Sequence, residues 1–215
     1  MPALYSNPRL AAFVLTEANG QRSRENIVVT QTGAEIKSGT LLTKVDTGAG
    51  VFALGAGATG NPTSGAITVG AAAKPGVYTM AFTAATKATL EDPTGVTVGT
   101  VTLGTAFNKG GLGFTLTAGG NAAVVGDTAT ITVAEGSGKY VPYTAAGAAG
   151  PADAILYNHL PAATGDVKAV GFVRDCEVNR FALTGLDATA TAQLATKGVI
   201  VRGAAGLPGI STPAL

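Results

Sequence analysis

Alternation of apolar and polar residues dominates the middle of the chain and predicts β-strands. Between residues 66 and 134, apolar side chains recur at every second position in three stretches: Tyr78, Met80 and Phe82; Leu112, Phe114 and Leu116; and Ala129, Ile131 and Val133. A period of two places one set of side chains on a buried face and the other set in solvent. Short turn-forming segments rich in Gly, Pro, Asp and Asn separate these stretches. The pattern predicts a small β-sandwich.

One stretch within this part of the chain breaks the alternation. From Val96 to Leu103, the apolar positions change phase at Gly99-Thr100. An extra residue in one strand of an antiparallel pair would restore the facing of the side chains. We therefore expect a β-bulge at this point.

The flanking parts of the chain predict further strands and one helix. Two glycine-rich breaks, at 48–65 and 135–152, have the composition of loops. Asp187 and Gly198 suit the N-cap and the first residue after the C-cap of a helix over 188–197. Strands are predicted outside the breaks, at 27–30, 154–157, 167–173, 178–183 and 199–202, and residues 39–45 are predicted as a turn followed by a strand.

The first twenty residues have the character of an arm. Pro2 and Pro8 lack backbone donors and disfavour regular structure. The run from Leu10 to Thr16 is apolar on both strand faces, as in a strand that is covered on both sides. We expect a neighbouring molecule to bury this run. The alternative, an ordinary first strand of the protein's own core, fits the pattern equally well.

The two glycine-rich breaks enclose a self-contained β unit, and the simplest explanation is an inserted domain. The expected organisation is an arm at 1–20, a discontinuous core formed by 21–48 plus 139–215, and an inserted β-sandwich at 49–138. The fold class is therefore mainly β with one short helix.

Composition excludes several classes of function. The chain carries 14 basic and 13 acidic residues, a net charge of +1, and no basic block, which argues against nucleic-acid binding. No signal peptide or membrane-spanning run is visible, so we expect a protein made in the cytoplasm. The single cysteine, Cys176, rules out an intrachain disulfide. A charged fraction of only 13% suits a surface that is partly buried in an assembly.

The residues offer little catalytic chemistry. The chain has one histidine, His159, so sites that need two imidazoles are excluded. Residues 55–60 match the dinucleotide-binding pattern G-x-G-x-x-G, but no helix is predicted after the third glycine. There is no P-loop, no nucleophile elbow and no aspartate-rich calcium loop. We therefore predict that the protein is not an enzyme, and we assign no catalytic, cofactor-binding or metal-binding residues.

Five segments in order resemble the lambda-type head decoration family of tailed phages. Residues 13–25 resemble its N-terminal signature, and Gly39-Thr40-Leu41-Leu42-Thr43-Lys44-Val45 is similar to its Gly-Thr-x-Leu-x-Lys-Val strand. Residues 154–157, 165–174 and 192–202 resemble its later core strands and its closing helix and strand. Residues 71–78 and 136–141 are similar to an extra β domain of longer members.

The resemblance implies a homotrimer that binds the major capsid protein on the outside of the expanded head, at three-fold positions. From the composition and motifs, we expect no cofactor, nucleic acid or membrane as a partner. It also implies that the N-terminal arm becomes ordered on the shell by extending a capsid sheet. The residues predicted to bind the capsid are Arg9, Leu10, Phe13, Val14, Leu15, Glu17, Arg22 and Arg24. Two alternatives remain at this stage: another virion β-protein, from a tail tube or fibre, or a carbohydrate-binding β module.

Overall fold

The computed structural model describes residues 10–70, 72–144 and 150–203. These residues form one α-helix, α1 (Ala188–Ala195), and seventeen strands. In chain order the strands are β1 (Val14–Glu17), β2 (Arg24–Thr32), β3 (Leu41–Lys44), β4 (Thr47–Leu54), β5 (Thr63–Ser64), β6 (Thr68–Val69), β7 (Gly76–Ala84), β8 (Lys87–Glu91), β9 (Thr97–Thr102), β10 (Ala106–Lys109), β11 (Leu112–Thr117), β12 (Thr128–Glu135), β13 (Tyr140–Pro142), β14 (Ala154–Leu156), β15 (Thr164–Phe172), β16 (Cys176–Asn179) and β17 (Val199–Arg202). The predicted fold class, mainly β with one short helix, is confirmed.

The chain divides into two compact units. Of the described residues, the first unit contains 10–44, 139–144 and 151–203, and the second contains 45–138 with Gly150. The first unit is therefore discontinuous in sequence. Within the described ranges, no helix is long and apolar enough to cross a lipid bilayer.

The first unit contains a closed barrel with the strand order β13-β2-β15-β14-β3. Its longest pairing joins β2 and β15, antiparallel from Thr32 opposite Thr164 to Arg24 opposite Phe172. Alternate residues of these strands point inward and form the barrel's core. That core includes Ile27, Val29, Leu42, Leu156 and Ala169.

A three-stranded sheet, β1-β16-β17, and α1 complete the first unit. Ala190 and Leu194 of α1 pack in one hydrophobic cluster with Val178 and Val199 of this sheet. The helix begins as predicted, because the Asp187 carboxylate accepts a hydrogen bond from the Ala190 amide at 2.6 Å. It ends at Ala195, two residues before the predicted end.

The second unit is built from two sheets that share one hydrophobic cluster. Five strands pair in the order β4-β12-β7-β8-β9, and β11 pairs with β10, β5 and β6 in the other sheet. The alternating residues face this cluster, as predicted: Tyr78, Met80, Phe82, Leu112, Phe114, Leu116, Ala129, Ile131 and Val133 are all buried. A β-bulge is present close to the expected point, but it lies just before Gly99-Thr100: Leu90 pairs with Gly99 and Glu91 pairs with Thr97, which leaves Val98 as the extra residue.

The prediction that residues 48–65 form a loop is wrong for its first part. Here β4 pairs along its length with β12. The glycines that suggested a loop instead permit close packing. A Cβ added to Gly50 would lie 2.7 Å from Cγ2 of Ile67, and one added to Gly55 would lie 2.1 Å from Oγ1 of Thr128. The second predicted break, 135–152, likewise contains a strand, β13. The predicted strand at 178–183 is shorter than expected: β16 ends at Asn179, and a 3-10 turn follows at Arg180–Ala182.

The chain enters and leaves the second unit at adjacent points. The Gly138 amide donates a hydrogen bond to the Val45 carbonyl at 2.9 Å, and the Gly136 amide donates one to the Asp46 carbonyl at 3.0 Å. The first and last residues of the second unit are therefore held together within the unit itself.

Candidate functional site

The segment predicted as an arm already forms part of the protein's own sheet at residues 14–17. β1 runs antiparallel to β16, with Val14 opposite Val178 and Glu17 opposite Cys176. The expectation that a neighbouring molecule supplies the pairing partner of this segment is therefore wrong for β1. The alternative stated above, an ordinary first strand of the core, describes what the structure shows.

Phe13 is an integral part of the first unit's core. Its side chain is 1% exposed, and its ring meets the ring of Phe172 edge-on, with centroids 5.6 Å apart. Its carbonyl accepts a hydrogen bond from the Asn179 amide at 2.7 Å. In this conformation Phe13 cannot contact a capsid, so its predicted role as a binding residue conflicts with its burial.

Two leucines beside Phe13 face solvent. Leu10 is 58% exposed and precedes a turn in which the Val14 amide donates to the carbonyl of Ala11, a residue with φ of 57°. Leu15 is 51% exposed. Val14 pairs with Val178 and Thr16 with Glu177, so Leu15 is an extra residue that bulges from β1.

Glu17 and Arg24 bind each other and so join β1 to β2. Nη2 of Arg24 lies 2.5 Å from Oε2 of Glu17, and the guanidinium lies over the rings of Tyr157 and Phe172, 4.9 and 5.2 Å from their centroids. The hydrogen bond to Glu17 raises the pKa of Arg24 above its ordinary value, although burial acts in the opposite direction. Both side chains therefore already bind groups of the same protein.

The eight predicted capsid-binding residues thus fall into different environments. Leu10, Leu15 and Arg22 are exposed, although Arg22 also lies 3.3 Å from the Asp175 carboxylate. Val14 is half-buried. Phe13 packs against Phe172, and Glu17 and Arg24 bind each other. Arg9 lies outside the described residues. Contact of the exposed members with a capsid stays a prediction.

Two exposed apolar residues of the first unit, Phe181 and Ile200, were not predicted as site residues. Phe181 lies in the 3-10 turn after β16, and Ile200 lies on β17. A run of three apolar residues, Val199-Ile200-Val201, was the available signal. A strand with one solvated face leaves the middle residue outside, and here Val199 is buried while Ile200 is exposed.

The dinucleotide-like motif at 55–60 has a structural role in the second unit. The amides of Thr59 and Gly60 both donate to the Asp127 carboxylate at 2.9 Å, and the Val124 amide donates at 3.0 Å. A Cβ on Gly60 would lie 2.4 Å from Cα of Ala123. The amides that would have to bind a phosphate are therefore already bound to an internal carboxylate.

Asp127 should make the second unit sensitive to acid. Hydrogen bonds from the Val124, Thr59 and Gly60 amides lower the pKa of its carboxyl group below the ordinary value. Its ionised form therefore stabilises the fold at neutral pH, and that contribution is lost as the pH falls from about 4 towards the lowered pKa. Asp127→Asn is expected to lower Tm by several degrees at pH 7 and by less at pH 3, as measured by circular dichroism.

Glu91→Gln provides the matched control for Asp127→Asn. Glu91 is an exposed carboxylate at the end of β8, with no hydrogen bond or ion pair to the described residues. This variant should have the same Tm as the wild type at pH 7. An Asp127→Asn protein whose Tm matches the wild type at both pH values would contradict the assignment.

The other residues considered for chemistry are Cys176 and His159. Cys176 is buried, and burial, followed by the charges of Glu17 and Asp175, raises the pKa of its thiol to about 11. Nε2 of His159 lies 3.8 Å from a carboxylate oxygen of Glu35. In the part of the chain that the structure describes, no three His, Cys, Asp or Glu side chains are grouped so that they could hold a metal ion.

Comparison with known proteins gives one extensive match. The family described as "Bacteriophage lambda head decoration protein D" matches residues 3–200. No curated protein matches the chain. Among solved structures, Xanthomonas campestris FlgL is 24% identical over 46% of this chain and 32% of its own length, with a TM-score of 0.33. The flagellar hook junction protein FlgK from Burkholderia pseudomallei is 26% identical over 58% of this chain and 23% of its own, with a TM-score of 0.32. The chain thus spans about a third or less of these flagellar proteins, and such low TM-scores carry no functional argument.

Proposed function

The chain belongs to the family of bacteriophage lambda head decoration protein D, and from this we propose that it binds the outer surface of the expanded phage head at three-fold positions as a homotrimer and stabilises the head. The family itself is structural and located in the phage capsid. The observation that carries the proposal is the extent of the family match, residues 3–200 of 215.

A three-fold arrangement has a physical advantage for such a role. Ordering a short segment against a shell costs about 1–2 kcal/mol per residue, so one segment alone is a weak ligand. Three identical segments on one trimer raise one another's effective concentration, and avidity can increase binding about 10²–10⁴-fold without any new contact. A closed three-fold ring also prevents the growth of open polymers.

We place the proposed arm in the residues that precede Phe13. From Phe13 onwards the chain is fixed by core packing and by pairing of β1 with β16. Leu10 is exposed just before this point, and Arg9 precedes it in the sequence. The part available to extend a capsid sheet is therefore shorter than the twenty residues expected from the sequence pattern.

We further propose that the second unit is an inserted domain. Residues 45–138 form their own hydrophobic cluster between two sheets, and their ends are joined by hydrogen bonds within the unit. The residues on both sides of this span, up to Lys44 and from Lys139, pair with one another in the barrel through β3 and β13. Both features are expected of a domain that is inserted into another at one exposed point.

The oligomeric state and head binding can be measured on the full chain. Light scattering should give about three times the 21.0 kDa mass of one chain. Cryo-electron microscopy of decoration-free expanded heads mixed with the protein should show added density at three-fold positions on the outside. A monomer that leaves the heads bare would refute the proposal, and density on tails would support the alternative virion role.

A further inference from the structure

We propose that the outward side of the β1-β16-β17 sheet, together with Arg180 and Phe181, is a docking face that rests on the shell of the head, and that its partner is an apolar patch bordered by a carboxylate. The docking face consists of Leu15, Glu177, Ile200, Arg202, Arg180 and Phe181. The inference rests on the proposed function and identifies which surface of the first unit meets the capsid.

The register of the sheet places two apolar residues on its outward side. Glu177 lies opposite Thr16 of β1 and opposite Ile200 of β17. The neighbouring row, Cys176 and Val199, is buried, so the Glu177 row faces outward. Leu15 bulges from β1 beside this row, and neighbouring strands are about 4.8 Å apart. Leu15 and Ile200, which is 46% exposed, therefore flank Glu177 on one surface.

Phe181 extends this surface beyond the end of β17. Its side chain is 57% exposed, and a Cβ built on Gly203 would lie 3.0 Å from its ring. Phe181 also lines a cavity with Ala12 and Phe13. Large apolar side chains that are exposed together, rather than singly, mark interaction surfaces, and exposed aromatic residues beside arginine are frequent at their energetic centres.

The charges of the docking face indicate the partner's chemistry. Arg202 is bound to Glu177 at 2.6 Å, so this pair is neutral overall. Arg180 is exposed and has no acidic partner among the described residues. A complementary surface therefore carries apolar groups opposite Leu15, Phe181 and Ile200 and a carboxylate opposite Arg180.

The position of the N-terminal segment favours the shell, rather than a second copy of this chain, as the partner of the docking face. Residues 1–9 join the described chain at Leu10, close to Ala12, which shares a cavity with Phe181. Nine residues reach at most about 30 Å even when fully extended. An arm that starts beside Phe181 and binds the shell therefore brings the docking face to the same partner.

Binding of variants to decoration-free expanded heads tests the inference. Phe181→Ser combined with Ile200→Thr is expected to weaken binding at least about tenfold in co-sedimentation, because both side chains would be buried at the contact. The removed groups are exposed, so Tm should stay close to that of the wild type. Val125→Ser, which alters a 74% exposed valine of the second unit, is the matched control and should bind as the wild type does.

Arg180→Glu provides an independent test that does not depend on apolar packing. It should weaken binding and make binding stronger, rather than weaker, as salt is added, because repulsion from the partner's carboxylate is then screened. Unchanged binding of both variants would overturn the docking face while leaving the proposed function intact. Loss of trimer mass in either variant would assign the face to contact between copies and would also overturn it. Failure of the wild type and of Val125→Ser to bind heads would overturn both proposals.

Discussion

Replacing Phe13 by alanine is expected to lower the free energy of unfolding by about 3–5 kcal/mol, measured by urea denaturation. The side chain is almost fully buried, and its ring packs edge-on against Phe172. Removing the ring leaves a cavity where β1, β16 and α1 meet, in the cluster that also contains Val178 and Leu194. A loss of this size is a large part of the stability of an ordinary domain.

Leu10→Ala is the control for this experiment. Leu10 lies three residues earlier and is mostly exposed, so its truncation should change the free energy of unfolding by less than about 0.5 kcal/mol. If Phe13→Ala were equally mild, Phe13 would belong to a free arm after all, and the pairing of β1 with β16 would have to be revised.

Removing residues 2–12 is expected to reduce binding to decoration-free heads about a hundredfold, because each trimer would lose three linked contacts at once. Unfolding should be almost unchanged, since core packing begins at Phe13. Affinity can be measured by titrating labelled protein onto heads. A variant in which residues 2–12 are replaced by a Gly-Ser sequence of equal length separates loss of the arm's side chains from loss of chain length.

The outcome of this truncation also separates the two proposed contacts. If the truncated protein bound as the wild type does, residues before Phe13 would not form an arm in the proposed sense. Residual binding that is abolished by adding Phe181→Ser would show that the docking face acts together with the arm.

The sequence predicted those strands whose two faces differ in polarity. β7, β11 and β12 each carry apolar residues at alternate positions, and this period of two identifies the buried face directly. The capping residue Asp187 identified the start of α1 in the same local way. Such signals need only neighbouring residues, so they could be found without knowledge of the fold.

The errors arose where the deciding partner is distant in the sequence. β1 pairs with β16, about 160 residues later, and no local pattern distinguishes that pairing from pairing with another molecule. β4 contains Gly48 and Gly50, whose missing side chains make room for residues of β12 and Ile67. Ile200 and Phe181 are apolar in sequence. The register of the sheet shows that Ile200 faces outward, and the turn after β16 leaves Phe181 57% exposed.

The hydrogen bonds between Gly138 and Val45 and between Gly136 and Asp46 have a practical consequence. Because the two junctions are adjacent, residues 45–138 could be exchanged for a short turn or for a foreign protein whose own termini are close together. Such a chimaera would keep every barrel strand, including β3 and β13 on either side of the junctions. If the proposed head binding holds, the chain should serve as a display scaffold, in which residues 45–138 can be replaced without redesigning the first unit, which carries the proposed contacts with the head.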